Sequence, residues 1–325
     1  MQVDLSLISK FRNELMGIAT IGIIVCHCPP NVVLMPKLIE YLCYLGKTGV
    51  ALFFFLSGFG LYYSLSKNSN SIIHWYIKRY ARIYIPYLLI LLIPGLYFAI
   101  NDPDTDWLRY LGKLSLISYW KYHDCAWFLA VLLPFYAISP LLFKLVNYNG
   151  TILKSLFLLL VPFTLLPLLT TGNGVLNDAL YDLTNGVAFV TGMFAASLAQ
   201  KEKSVNIIWF VLMGAFYCCL FFFQNRNFST WYTGLLFISL PFILYVLKKK
   251  NVHCSWLAFL GSISLESYLT NTIMPNYVRL IPWDEFSYNI NYRNYLGYCL
   301  VIVGGLIWAF VVHKISKYLQ LKLKL

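Results

Sequence analysis

The chain has 325 residues, of which 59% are hydrophobic and only 12% charged, with a formal net charge of +12 and a mean hydropathy of +0.67. A soluble domain carries about a quarter of its residues as charged side chains, so this composition excludes a soluble enzyme or binding module and points to an all-α, polytopic transmembrane bundle. The positive balance follows from topology and adhesion to an anionic inner leaflet, and it calls for no nucleic-acid partner.

A bilayer core of roughly 30 Å needs about 20 apolar residues per helix. Ten such segments recur, near residues 12–29, 45–65, 83–100, 125–146, 153–171, 184–199, 206–224, 228–247, 256–280 and 293–313. The first reads FRNELMGIATIGIIVCHCP. Fifteen helical steps bring Arg12 and His27 to within about 60° of one azimuth and about 22 Å apart, so one face carries a cation at one end and an imidazole at the other. Ionisable groups within a span are costly and are functional candidates by default, although a snorkelling arginine and an interfacial histidine are ordinary features.

The second segment, GKTGVALFFFLSGFGLYYS, begins beside Lys47, and its Gly46, Gly49, Gly58 and Gly60 permit close helix approach. Ser57 within it is expected to bond its own helix backbone. At the inner start of the third, HWYIKRYARIYIPYLL sets Arg79 and Arg82 three apart on one helical face with Lys78 beside them. Such a basic pair is a common topogenic signal and also suits a phosphate-bearing ligand. The outer loop that follows has room for a short surface helix over WLRYLGKLSLI, and Asp124 reads as the cap of the fourth span. Glu266 lies inside the ninth span and reads as an orienting group between helices.

Alternate loops sort by charge. Inner segments hold Lys10 and Arg12, then Lys67 with Lys78, Arg79 and Arg82, then Lys144 and Lys154, Lys201 and Lys203, Lys248 to Lys250, and Lys314 to Lys324, which is most of the 25 basic residues. Asp102, Asp104, Asp106, Asp178, Asp182, Asp284 and Glu285 fall outside. Both termini are therefore expected to be cytoplasmic, which agrees with ten spans, and the first run lacks the small-residue cleavage site of a removable signal peptide. One domain fills residues 1–325, and no internal repeat of the kind seen in many transporters is evident. The cysteines have no metal-ligand spacing, and CHC cannot converge on one ion because successive helical residues diverge by about 100°. Cys28, Cys43 and Cys125 fall at or near the outer side, where one disulfide among them can form. The 25 tyrosines and nine tryptophans fit interfacial aromatic belts.

Five strings in this order, RNELMGIA…H, GVALFFFLSGF, RYARIYIPY, AWFLAVLLPFYAISPLL and GSISLESYLTN, resemble the acyltransferase 3 family of integral-membrane acyltransferases. The resemblance runs from the first span to the ninth. It implies ten helices and transfer of acetyl or a similar group from acyl-CoA to hydroxyls, often of envelope polysaccharides, in the cell membrane. His27 matches the family histidine, and Arg79 and Arg82 match its Arg-x-x-Arg motif, implicated in acyl-CoA use. Two positions depart. Met16 stands where the family often has Arg or Lys, eleven residues before the histidine, and Arg12 one turn earlier is the candidate replacement. Asn271 stands where the ninth span commonly has a histidine.

These readings combine into an expected reaction. His27 is the base, since imidazole titrates near neutrality without help. Arg79, Arg82 and Lys78 hold the CoA phosphates at the inner surface, and Asn271, Ser57 or Lys47 supplies an oxyanion donor. Glu266 and Arg12 complete the candidate set. The expected partners are acetyl-CoA or another acyl-CoA as donor, a sugar or polysaccharide acceptor and the bilayer. A multi-pass transporter or flippase of a glycan or lipid-linked substrate is the alternative, and a family member that binds without catalysing is a third reading.

Overall fold

The computed structural model describes residues 2–27, 37–68, 71–101, 106–122, 126–148, 160–169, 174–224, 227–250, 254–278 and 290–323. Apolar segments become helices there because a chain in lipid has no water to satisfy its backbone and must bond it internally. In chain order the helices are α1 (Ser6–Lys10), α2 (Arg12–Cys26), α3 (Lys37–Leu45), α4 (Thr48–Ser66), α5 (Ile72–Asn101), α6 (Trp107–Leu114), α7 (Ser118–Tyr122) and α8 (Trp127–Asn147). After α9 (160–165, continued by a 3-10 turn Leu166–Leu169) come α10 (Gly174–Leu183), α11 (Gly186–Gln200), α12 (Ile207–Phe223), α13 (Phe228–Lys250), α14 (Ser255–Ser262), α15 (Ser264–Val278) and α16 (Ile290–Lys322). The protein is an all-α helical bundle. Five stretches among the described residues are long and apolar enough to cross a bilayer: Tyr41–Ser66, Ile72–Tyr97, Trp127–Asn147, Phe228–Lys249 and Cys299–Lys322.

Helices α4 and α11 sit at the centre. Residues from Gly186 to Ala196 on α11 are all buried, as are Leu52 to Leu56 on α4. The core between them and α8 is aromatic: Phe54 meets Phe128 edge-on at 4.9 Å and Phe135 at 5.9 Å, and Phe135 stacks on Phe189 at 5.3 Å. Large apolar side chains left exposed on the periphery, such as Trp209, Leu212, Phe216 and Phe223 on α12, face where lipid would lie. Two prolines, Pro134 and Pro140, interrupt the backbone bonding of α8. In that stretch Tyr76 and Tyr80 of α5 donate to the carbonyls of Ala137 (2.6 Å) and Leu133 (3.2 Å), which seats α5 against α8.

The structure redraws several boundaries. The apolar run at 256–280 is two helices, α14 and α15, separated at Ile263. Helix α5 starts at Ile72, so Arg79 and Arg82 lie about two turns inside it, and α16 continues to Lys322. The surface helix expected after α5 is present as α6, whose first turn Asp106 caps by accepting from the Arg109 N–H at 3.0 Å. Strands over Gln2–Asp4 (β1) and Ser204–Asn206 (β2) pair antiparallel, Val3 opposite Val205. Nothing in the composition announced this ribbon. It puts the N-terminal segment and the α11–α12 connection at one end of the bundle. Asp4 also accepts from the Ser6 hydroxyl (2.6 Å) and N–H (2.9 Å), and the hydroxyl bond is the main reason its carboxyl titrates below the usual range.

Candidate active site

Helix α2 carries the site because the backbone of α14 meets its own at two glycines without intervening side chains. A Cβ on Gly17 would stand 2.1 Å from the Leu257 carbonyl oxygen of α14, and one on Gly261 would stand 1.9 Å from that of Asn13. Glycine at both positions is therefore required for α14 to lie on α2. The break at Ile263 then redirects the chain, and α15 runs up beside α2 until Asn271 reaches His27. The Asn271 amide lies 3.2 Å from His27 Nδ1.

His27 is the first residue past the helical turns of α2, and its side chain is exposed. Its Nδ1 also lies 2.8 Å from the Ile23 carbonyl oxygen. A carbonyl only accepts, so Nδ1 carries the proton in that bond and the neutral ring keeps its lone pair on Nε2. His27 faces a cavity of about 480 Å³, whose walls include Tyr44, Lys47, Trp127, Asp182, Asn185 and Tyr232. Asp182 accepts from the Tyr119 hydroxyl at 2.6 Å, which fixes its carboxylate at this wall. Lys47 rests over the Tyr44 ring at 5.1 Å. Aromatic walls with a carboxylate and an amide between them suit a hydroxyl-bearing, partly apolar molecule.

A second cavity, about 380 Å³, opens toward the opposite end of α2. Arg12, Arg79, Arg82 and Lys67 line it, with Met16, Ser57 and Tyr63. Among the described residues no carboxylate pairs with the three arginines, and the buried Nε atoms of Arg12 and Arg79 have no hydrogen-bond partner. Unpaired guanidinium donors around a cavity form a receptor for a multiply charged anion such as phosphate. Gly60 makes room for this cluster, since a Cβ there would come within 2.9 Å of Arg12 Nη2.

The structure thus brings Arg12, Arg79 and Arg82 together and brings His27 and Asn271 together. Met16 lies in the same lining as Arg12, so the cavity that lacks a cation at Met16 has one from the preceding turn. Lys78 is exposed and outside this lining, where Lys67 stands instead. Ser57 lies with the arginines and Lys47 with His27. Glu266 is buried and pairs with His313 of α16, Oε1 to Nδ1 at 3.0 Å. Asp124, Cys28 and Cys125 lie outside the described residues, and Cys43 is a free thiol. Sequence reasoning passed over Lys67, Asp182, Asn185, Trp127 and Tyr268 as site residues. Trp127, inside the AWFLAVLLPFYAISPLL string, and Tyr268, inside GSISLESYLTN, lay in stretches already singled out, and Lys67 and Asp182 had entered only as topological charges.

One family profile, described as an acyltransferase domain, matches residues 15–314. No curated protein and no solved structure matches the chain.

Proposed function

The chain belongs to the acyltransferase 3 family and is a membrane acyltransferase, and from that premise we propose that it moves an acyl group, acetyl foremost, from cytoplasmic acyl-CoA to a hydroxyl of a sugar or surface polysaccharide at the outer side of the cell membrane. The observation that carries this reading is the pair of cavities at the two ends of α2, one lined by three guanidiniums that find no carboxylate partner among the described residues and the other by His27. A transporter or flippase has no need of that combination.

In the proposed reaction Arg12, Arg79, Arg82 and Lys67 grip the CoA phosphates, and the thioester reaches toward His27. His27 Nε2 takes the proton of the acceptor hydroxyl as its oxygen attacks the thioester carbonyl. A C–O bond forms, the C–S bond breaks, and the departing thiolate recovers the proton from the imidazolium. Asn271 orients the ring. Lys47, which lines the same cavity as His27, stabilises the oxyanion. Transfer through an acyl-histidine uses the same residues.

Purified protein incubated with acetyl-CoA should release or transfer acetyl, and His27→Ala should lower that rate by about 10²- to 10⁴-fold, the usual worth of a general base. Undiminished turnover in that variant would sink the mechanism. Arg79→Gln and Arg82→Gln should instead raise KM for acetyl-CoA by about tenfold each while kcat stays near the parent value, because charge-assisted contacts to a remote phosphate serve ground state and transition state alike.

A further inference from the structure

The two cavities have one residue in common. Tyr268 lines both, and its side chain is 4% exposed. Beside it the first turn of α8 contributes Phe128 to the arginine-lined cavity and Trp127 to the one that holds His27. The Phe128 and Tyr268 rings meet at 5.2 Å in a T-shaped contact. Phe128 is braced from behind by Phe54 at 4.9 Å and Phe53 at 6.0 Å. Tyr268 precedes Asn271 by three residues, about 4.5 Å of helix rise, so this aromatic septum stands within one turn of the amide that contacts His27.

We propose that Phe128 and Tyr268 form a size-selecting junction that admits a short acyl group, of two or three carbons, to His27 and holds back longer chains. The inference rests on the acyl-CoA reading given above and adds to it the residues that set acyl length. A donor held by the guanidiniums reaches the imidazole by passing its acyl end between these rings. Phe128 is held in the packed core by Phe53 and Phe54, so each added methylene has to be seated against a ring that does not yield freely. An acetyl group has no internal torsion and no methylene to place, whereas a butyryl chain has to be held extended and to seat two further methylenes against these rings when its carbonyl stands at His27. Removing one ring opens the passage without touching His27 or the arginines.

The test is thiol release from acetyl-, propionyl-, butyryl- and hexanoyl-CoA by the purified full-length protein, read as kcat/KM for each donor. The parent protein should favour acetyl over butyryl by tenfold or more, and Phe128→Ala should cut that preference by at least tenfold. Phe128→Leu and Tyr268→Leu keep an apolar side chain in place and should shift the preference in the same direction by a smaller factor; they carry the test where the alanine variant fails to fold. A parent protein that turns over acetyl- and butyryl-CoA equally well, or variants that keep the parent ratio, would overturn the junction while leaving the acyltransferase reading intact. A parent protein inert toward every acyl-CoA would overturn both.

Discussion

Besides the Cys26 thiol at 3.8 Å, two closer groups meet the imidazole of His27 at the same ring nitrogen. Nδ1 is 2.8 Å from the Ile23 carbonyl and 3.2 Å from the Asn271 amide. With the proton on Nδ1, Asn271 fits only by turning its carbonyl oxygen to the ring, and which end of an amide faces a partner is decided by such bonding. The shared Nδ1–H then fixes the tautomer and leaves Nε2 as the base, so Asn271 is a positioning residue. Asn271→Ala should reduce kcat about tenfold, the worth of one hydrogen bond lost from the transition state, while KM for acetyl-CoA is unchanged. Asn271→His, the residue common in the family at this place, should recover part of the loss. Steady-state kinetics on the two variants checks it, and a fall in KM affinity without loss of kcat would contradict the role. The sequence alone marked Asn271 as a departure from its relatives; that it meets His27 across 244 positions is visible only in the fold.

At the scale of elements, the position of Asn271 depends on the break between α14 and α15. The apolar run over 256–280 contains no proline before the break, so periodicity reads it as one span. What divides it is tertiary: α14 lies against α2 backbone to backbone, and the chain turns at Ile263, φ −106° and ψ 18°, to run on as α15. Gly261→Ala should therefore act out of proportion to its one added carbon. The atom it would strike is the Asn13 carbonyl oxygen, not the tip of a flexible side chain, so the helices have to separate. Overpacking of this kind costs about 1–3 kcal/mol, which in detergent should appear as a Tm several degrees lower. Activity should fall further than stability does, because the same separation draws Asn271 away from His27. Activity preserved alongside a lowered Tm would show that α14 contributes packing only. By contrast, the glycines of the second span were legible in advance as packing sites, since small residues in a membrane helix have few other uses.

Across the whole molecule, the sorting of charge along the sequence can be set beside where the fold gathers those residues. Positive-inside sorting is a property of local composition and needs no knowledge of contacts. Several residues assigned to one side lie close together in the fold: Arg12, Lys67, Arg79 and Arg82 share one cavity, β1 pairs with the α11–α12 connection, and Lys248 at the end of α13 acts on Asp4. The opposite cavity draws on the start of α4, the start of α8, the α10–α11 turn and the start of α13. Helices α2, α4 and α8 therefore each contribute to both cavities. The cavities themselves were not legible, because each is assembled from residues separated by most of the chain. A reaction with its donor at one end and its acceptor at the other requires those ends to face different compartments. In a protein whose native cysteines are replaced by serine, Lys67→Cys and Ser204→Cys should resist a membrane-impermeant maleimide on intact cells and react once the membrane is opened. Lys113→Cys and Lys121→Cys, on the segments that hold Tyr119 against Asp182, should react without opening it. Equal labelling of all four on intact cells would place both cavities on one side and confine transfer to a single compartment. The opposed pattern would mean that the acyl group, still joined to its thiol, is carried past Tyr268 across most of the bilayer within the protein while the phosphates stay at the arginine-lined cavity.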